Sequence, residues 1–323
     1  LRKLIGFAVT LLVLVCIIGG MIAFGTSAPP PPMASISNPF SNVDYSDLPP
    51  LTRITARDGV SLAVRVWKAD AAPADVRRVI IAIHGSSAMG ASMHSLAKEL
   101  RDADTAVYAP DMRGHGDSGS RRGDIDYRTQ LDDDLADLVA AVRGAHPKAK
   151  LTLLGFSSGG GFALHNAATP LGGGFARTIL VSPMLGPRAP TARGGFSNAW
   201  AQPFLPRIVA LVILNRAGIH AFDYLPSLAF GIAPENAQRL TGVYSFRLMM
   251  GFGTSDYAAD LKNARSPLAV LVGSEDELFD ATKFGPTVHA LRPEVPVTVV
   301  AGLGHISMTI DPRAISAIVA ATR

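Results

Sequence analysis

Gly155-Phe156-Ser157-Ser158-Gly159 has the pattern G-x-S-x-G, a turn that can hold a serine nucleophile between a strand and a helix. Such a turn is so tight that a Cβ two residues before or after the serine would collide, hence the flanking glycines. The setting suits it, because Leu151-Thr152-Leu153-Leu154 reads as a strand and Phe162-Ala163-Leu164-His165 as a helix. Ser158 is a poor rival nucleophile, since Phe156 and Gly160 stand at its flanking positions. A serine hydroxyl attacks a carbonyl only when a base removes its proton, and the base needs an acid to orient it. Two later loops can supply them. Gly273-Ser274-Glu275-Asp276 closes one apolar run and Gly302-Leu303-Gly304-His305 closes the next, with Glu277 and Asp280 as further acids in the first loop.

These residues need a scaffold that brings strand ends together. Leu51 to Arg57 and Ser61 to Trp67, separated by Asp58-Gly59, predict an opening hairpin. Strands over Arg78–Ile83, Thr105–Ala109, Lys150–Gly155 and Arg177–Ser182 then alternate with helices over Ala91–Arg101, Thr129–Arg143 and Gly159–Ala168. The alternation resumes with a strand at Leu268–Val272, a helix at Ala281–Leu291, a strand at Val295–Val300 and a helix at Pro312–Thr322. Nearly continuous aliphatic strands alternating with helices imply an α/β fold, a mostly parallel sheet covered on both faces. The interruption from about 186 to 266, rich in Phe, Leu, Ile, Pro and Trp, is expected to be a helical cap insertion, with Ile208–Leu214 as a cap helix.

The order Ser, Asp, His, with both later members in loops after strands, is that of the α/β-hydrolases. Residues 51–323 resemble that family, and most resemble its lysophospholipase and monoacylglycerol lipase branch. The resemblance rests on His84-Gly85-Ser86-Ser87, on Asp111-Met112-Arg113-Gly114-His115-Gly116-Asp117-Ser118, on the serine turn, and on the Asp276 and His305 loops. It departs at Phe156 and Ser158, where that branch often has His and Met. It implies Ser157 as nucleophile, His305 as general base and then acid, and Asp276 as the carboxylate that fixes the imidazole. The backbone N–H groups of Ser86 and Ser158 would form the oxyanion hole. It implies a serine hydrolase cleaving lipid-like carboxylic esters through an acyl-enzyme, without metal or organic cofactor. An aminopeptidase or thioesterase of the same fold, or a non-catalytic binding protein that keeps it, is the alternative. Beside these residues His84 is expected to support the oxyanion loop, His115 to serve a turn, and Asp132, Asp133 and Asp134 to form a solvated face at a helix start.

The 323 residues are 48% hydrophobic and 17% charged, against about 25% charged for ordinary soluble domains, which excludes a disordered chain. A formal charge of +4 comes without a basic patch interleaved with aromatics, so nucleic acid is not an expected partner. The single cysteine, Cys16, lies in the apolar N-terminal run, so the body has no disulfide. Arg2 and Lys3 precede an uncharged run, Leu4 to Phe24, long enough to cross a bilayer. Residues 1–24 are therefore expected to be a transmembrane anchor, with a cleaved signal peptide as the alternative. Basic charge before the run and Asp44 and Asp47 after it orient the N-terminus to the cytoplasm and the hydrolase domain outside it. Residues 25–50, with Pro29 to Pro32, are expected to be a partly stiff Pro-rich linker.

Overall fold

The computed structural model describes residues 2–194 and 200–323. Helix α1 (Arg2–Phe24) is followed by the short α2 (Ala34–Ser37) and a 3-10 turn, Asn38–Asn42. The body opens with the expected hairpin, β1 (Leu51–Thr55) and β2 (Ser61–Trp67), then β3 (Arg78–Ile83), α3 (His94–Leu100), β4 (Thr105–Pro110), α4 (Gln130–Ala145), β5 (Lys150–Phe156), α5 (Ser158–Ala168) and β6 (Arg177–Val181). The insertion holds β7 (Ala201–Pro203), α6 (Leu205–Arg216), β8 (Pro226–Phe230), β9 (Val243–Ser245), α7 (Phe246–Gly251) and α8 (Tyr257–Asn263). The chain closes with β10 (Leu268–Gly273), α9 (Ala281–His289), β11 (Val297–Val300) and α10 (Pro312–Thr322).

Eight strands form one sheet in the order β1-β2-β4-β3-β5-β6-β10-β11. Strand β2 is antiparallel to β1 and β4, and every other pairing is parallel. The central strands are mostly aliphatic because both of their faces are covered: α3 and α10 pack together, and α5 packs with α8. Ile81, Ile83, Leu153, Leu180 and Val272 are fully or almost fully buried. Strand β11 is the exception, an edge whose Val299 is exposed. The predicted helix from Ala91 begins later, at His94, because Gly90 N–H donates to Asp111 Oδ1 (2.7 Å) and Gly90–Met93 winds as a 3-10 turn.

Two regions differ from the sequence reading. The insertion holds an antiparallel sheet, β7-β8-β9, besides its helices; strands of three residues are too short to show a period of two. Residues 195–199 of the insertion lie outside the described residues. The second is the segment expected to be a linker. It packs on the body: Ile36 is buried, the Tyr45 ring stacks on His94 with centroids 5.6 Å apart, and Asp47 accepts from His94 Nε2 (3.0 Å) and Lys98 Nζ (2.6 Å). Helix α1 leans by its C-terminal end on α6, where Arg207 Nε donates to the Ile22 carbonyl (2.8 Å).

Candidate active site

The parallel strands end together, and the backbone bends sharply just beyond three neighbours. Among the described residues only Ser87, Ser157 and Ser182 have positive φ without being glycine, at 67°, 55° and 40°. They follow β3, β5 and β6, adjacent in the sheet. Such strain persists where the surroundings over-determine it, and it gathers at functional sites. At the serine turn the reason is direct. A Cβ on Gly155 would stand 2.0 Å from the Gly159 carbonyl oxygen, and one on Gly159 2.3 Å from that of His84.

Ser157 and His305 line one cavity of about 460 Å³, together with Gly85, Ser86 and Phe156. His305 is buried, and its Nδ1 shares a 2.8 Å hydrogen bond with Asp276 Oδ2, so Nδ1–H donates and Nε2 keeps its lone pair. Burial pushes the Asp276 carboxyl up, but the adjacent His305 and the Phe279 N–H outweigh it and hold the group below its ordinary value. Its Oδ1 accepts from the N–H groups of Leu278 (3.0 Å) and Phe279 (2.9 Å). The imidazole is flanked by the rings of Phe156 (4.7 Å) and Phe279 (5.2 Å). Phe156 thus has a place in this site as a wall against His305. Ser157 Oγ has no hydrogen-bond partner among the described residues.

Of the other acids in that loop, Glu277 accepts the His305 backbone N–H on Oε2 (2.8 Å), while Glu275 N–H donates to the Leu303 carbonyl (2.9 Å). The two loops are therefore laced together. Asp280 caps α9 by accepting from Thr282 N–H (3.1 Å).

Ser86, expected with Ser158 to offer its N–H group, lines the cavity with Ser157, and Ser158 follows Ser157 in the chain. A Cβ on Gly85 would lie 3.1 Å from Ser157 Cβ, so this loop touches the serine turn. The Ser86 and Ser158 hydroxyls hydrogen-bond to each other, which ties the two loops. His84, fully buried, supports the loop from beneath: its Nδ1–H donates to the Gly85 carbonyl (2.8 Å) and its Nε2 accepts from Met112 N–H (3.0 Å). Burial keeps this imidazole neutral by lowering its pKa, as it does more strongly for His115.

Tyr244 of β9 carries no signal in the sequence and is central here. Its hydroxyl accepts from Ser87 N–H (2.6 Å) and donates to His115 Nε2, while Thr241 O accepts from Ser87 Oγ (2.8 Å). The insertion thereby grips the loop that carries Ser86. Only the separation in sequence, 157 residues from Ser87 to Tyr244, hid the pair.

The aspartates of α4 require a correction. Asp132 and Asp133 keep partly exposed side chains and accept from Asn166 and Arg57, but Asp134 is buried and takes Arg113 on both oxygens (2.7 and 2.8 Å). Arg113 belongs to the Asp111–Ser118 motif, so the buried pair fastens that loop to α4. His165 of α5 faces Asp132 and Asp260, which raise its pKa to about 10 against the opposing effect of burial.

Comparison with known proteins agrees with this architecture. Residues 74–308 match the family described as serine aminopeptidase, S33. The human protein named monoglyceride lipase is 26% identical over 296 residues, covering 85% of this chain and 94% of its own. The structure is similar to that of a soluble variant of monoglyceride lipase from Saccharomyces cerevisiae, with a TM-score of 0.62 at 17% identity over 91% of this chain and 97% of that one. It is also similar to the monoacylglycerol lipase of Paleococcus ferrophilus, with a TM-score of 0.61 at 19% identity over 80% of this chain and 97% of that one.

Proposed function

Because this chain belongs to the serine aminopeptidase S33 family and is a serine hydrolase of α/β-hydrolase fold, we propose that it cleaves a lipid-like carboxylic ester through a Ser157 acyl-enzyme while anchored in a membrane. Single-chain glycerides, the substrates in the names of its relatives, are the nearest chemistry. The observation that carries the reading is the Asp276–His305 pair beside Ser157 on the wall of one largely apolar cavity.

In this mechanism His305 Nε2 takes the Ser157 proton as Oγ attacks the ester carbonyl. Asp276 stabilises the resulting imidazolium, and its two backbone hydrogen bonds keep it in place. Charge develops on the carbonyl oxygen, where the N–H groups of Ser86 and Ser158 receive it; each such donor lowers the barrier by about 3 kcal/mol. The imidazolium then returns the proton to the departing alcohol. Water, activated by the same imidazole, releases the acid. The aromatic walls Phe156 and Phe279 limit competing water around the imidazole.

Helix α1 supports the anchor: 23 residues with a mean hydropathy of 2.8 over its most apolar window and no buried position. At about 1.5 Å per residue it is long enough for a bilayer core. The hydrolase domain lies on the far side of the membrane from the N-terminal Arg2 and Lys3.

The test is a panel of glyceryl monoesters, aryl esters, aminoacyl anilides and acyl thioesters. Esters with an apolar acyl group should give the highest kcat/KM, and His305→Ala should lower it by about 10³-fold or more. Preference for aminoacyl anilides would instead select the aminopeptidase reading.

A further inference from the structure

The segment between α1 and β1 does more than join them. It precedes the family region, yet Ile36, Phe40, Val43 and Tyr45 line the same cavity as Ser157 and His305. Ile232 and Leu240 of the insertion line it too. Phe40, Val43 and Tyr45 are only partly buried, so part of each side chain remains exposed. Other residues hold the segment down. Asp47 binds His94 and Lys98, and the Pro30 and Pro31 carbonyls lie so close to Gly231 that a Cβ there would be 2.4 Å from the Pro31 oxygen. Ile36 and Tyr45 thus line the cavity and also pack on the body, while Phe40 and Val43 line it from a segment held at both ends.

We propose that residues 33–45 are the acyl-chain subsite of this enzyme, with Phe40 at its centre and an unbranched alkyl chain as its ligand. The inference rests on the ester-hydrolase reading above, and it adds that selectivity for the acyl group is carried by a segment outside the hydrolase core. Apolar contact with Phe40 grows with chain length and is absent for an acetyl group.

The experiment uses the full chain in lipid nanodiscs, with p-nitrophenyl acetate and p-nitrophenyl dodecanoate. Phe40→Ala should lower kcat/KM for the dodecanoate about tenfold and leave the acetate within about twofold, and Phe40→Leu should restore most of the loss. Equal losses on both esters, or no loss on either, would overturn the subsite. Dodecanoate binding to Ser157→Ala protein, compared with the Ser157→Ala/Phe40→Ala double variant, reads the subsite without turnover. If wild-type protein cleaved neither ester while dodecanoate still bound about tenfold more weakly without Phe40, the ester reading would fail and the subsite would stand. Equal dodecanoate affinity in the two variants would overturn the subsite alone.

Discussion

Ser87 has a strained backbone, and the contacts that hold it come from the insertion. Tyr244 is the residue to test, because its hydroxyl links the Ser87 N–H to His115. Tyr244→Phe leaves a buried N–H without its acceptor, a loss of about 1 to 3 kcal/mol, and frees the peptide beside Ser86. The expected result is a fall in kcat of about tenfold with KM little changed, since the developing oxyanion and not the bound ester senses that peptide. An unchanged kcat would remove Tyr244 from the positioning of the loop. At this scale the sequence marked Ser157, Asp276 and His305 as candidates because each stands in a loop or turn just after a strand. It was silent on Tyr244 and on how Glu277, visible only as one more loop acid, ties the His305 backbone, because both contacts form only when distant segments meet. Asp134 shows the same limit: three consecutive aspartates at a helix start resemble a solvated, dipole-stabilised turn, and nothing local says that Arg113 is waiting for one of them.

The polar seam joining α4, α5 and α8 is where pH should act on the fold. His165 of α5 lies 3.3 Å from Asp260 Oδ2 of α8 and 3.7 Å from Asp132 Oδ2 of α4. Its folded pKa of about 10 lies above the ordinary 6.5, so the protonated imidazole stabilises the folded state. That contribution is present in full below about pH 6.5, declines above it and is gone once pH passes about 10. His165→Gln should therefore lower the urea midpoint at about pH 6 and match wild type at about pH 10.5. A deficit that does not depend on pH would mean that His165 acts by packing alone. Helices and strands of the core were legible because their apolar runs have lengths and periods that differ. The three-residue strands β7 and β9 were not, since so short a segment has no measurable period and is defined by its partner β8.

Across the whole molecule residues 2–45 link the apolar helix to the cavity. Helix α1 leans on α6, and the nine residues from 25 to 33 reach at most about 30 Å, which keeps the cavity-lining segment close to the end of the helix. The exposed Val209 and Ile213 of α6 and Phe222 beyond it lie on the same insertion that α1 touches. If α1 is an uncleaved anchor, the protein stays with membranes through an alkaline carbonate wash, and a version lacking residues 1–24 is released. A mature N-terminus at Ala28 or Pro29 would show a cleaved signal peptide instead. The apolar length of α1 was plain in the sequence. The fold of residues 33–45 was not, because a short, largely polar run without period, following Pro29 to Pro32, looks like a tether until the surface it covers is known.

The proposed ester cleavage depends on Ser157 being a nucleophile activated by His305. The most direct measurement is the intact mass of the protein after exposure to an alkyl fluorophosphonate, followed by peptide mapping. One adduct is expected, on the peptide carrying Ser157, absent in Ser157→Ala and strongly slowed in His305→Ala. An unmodified wild-type protein, or an adduct that survives Ser157→Ala, would contradict the account.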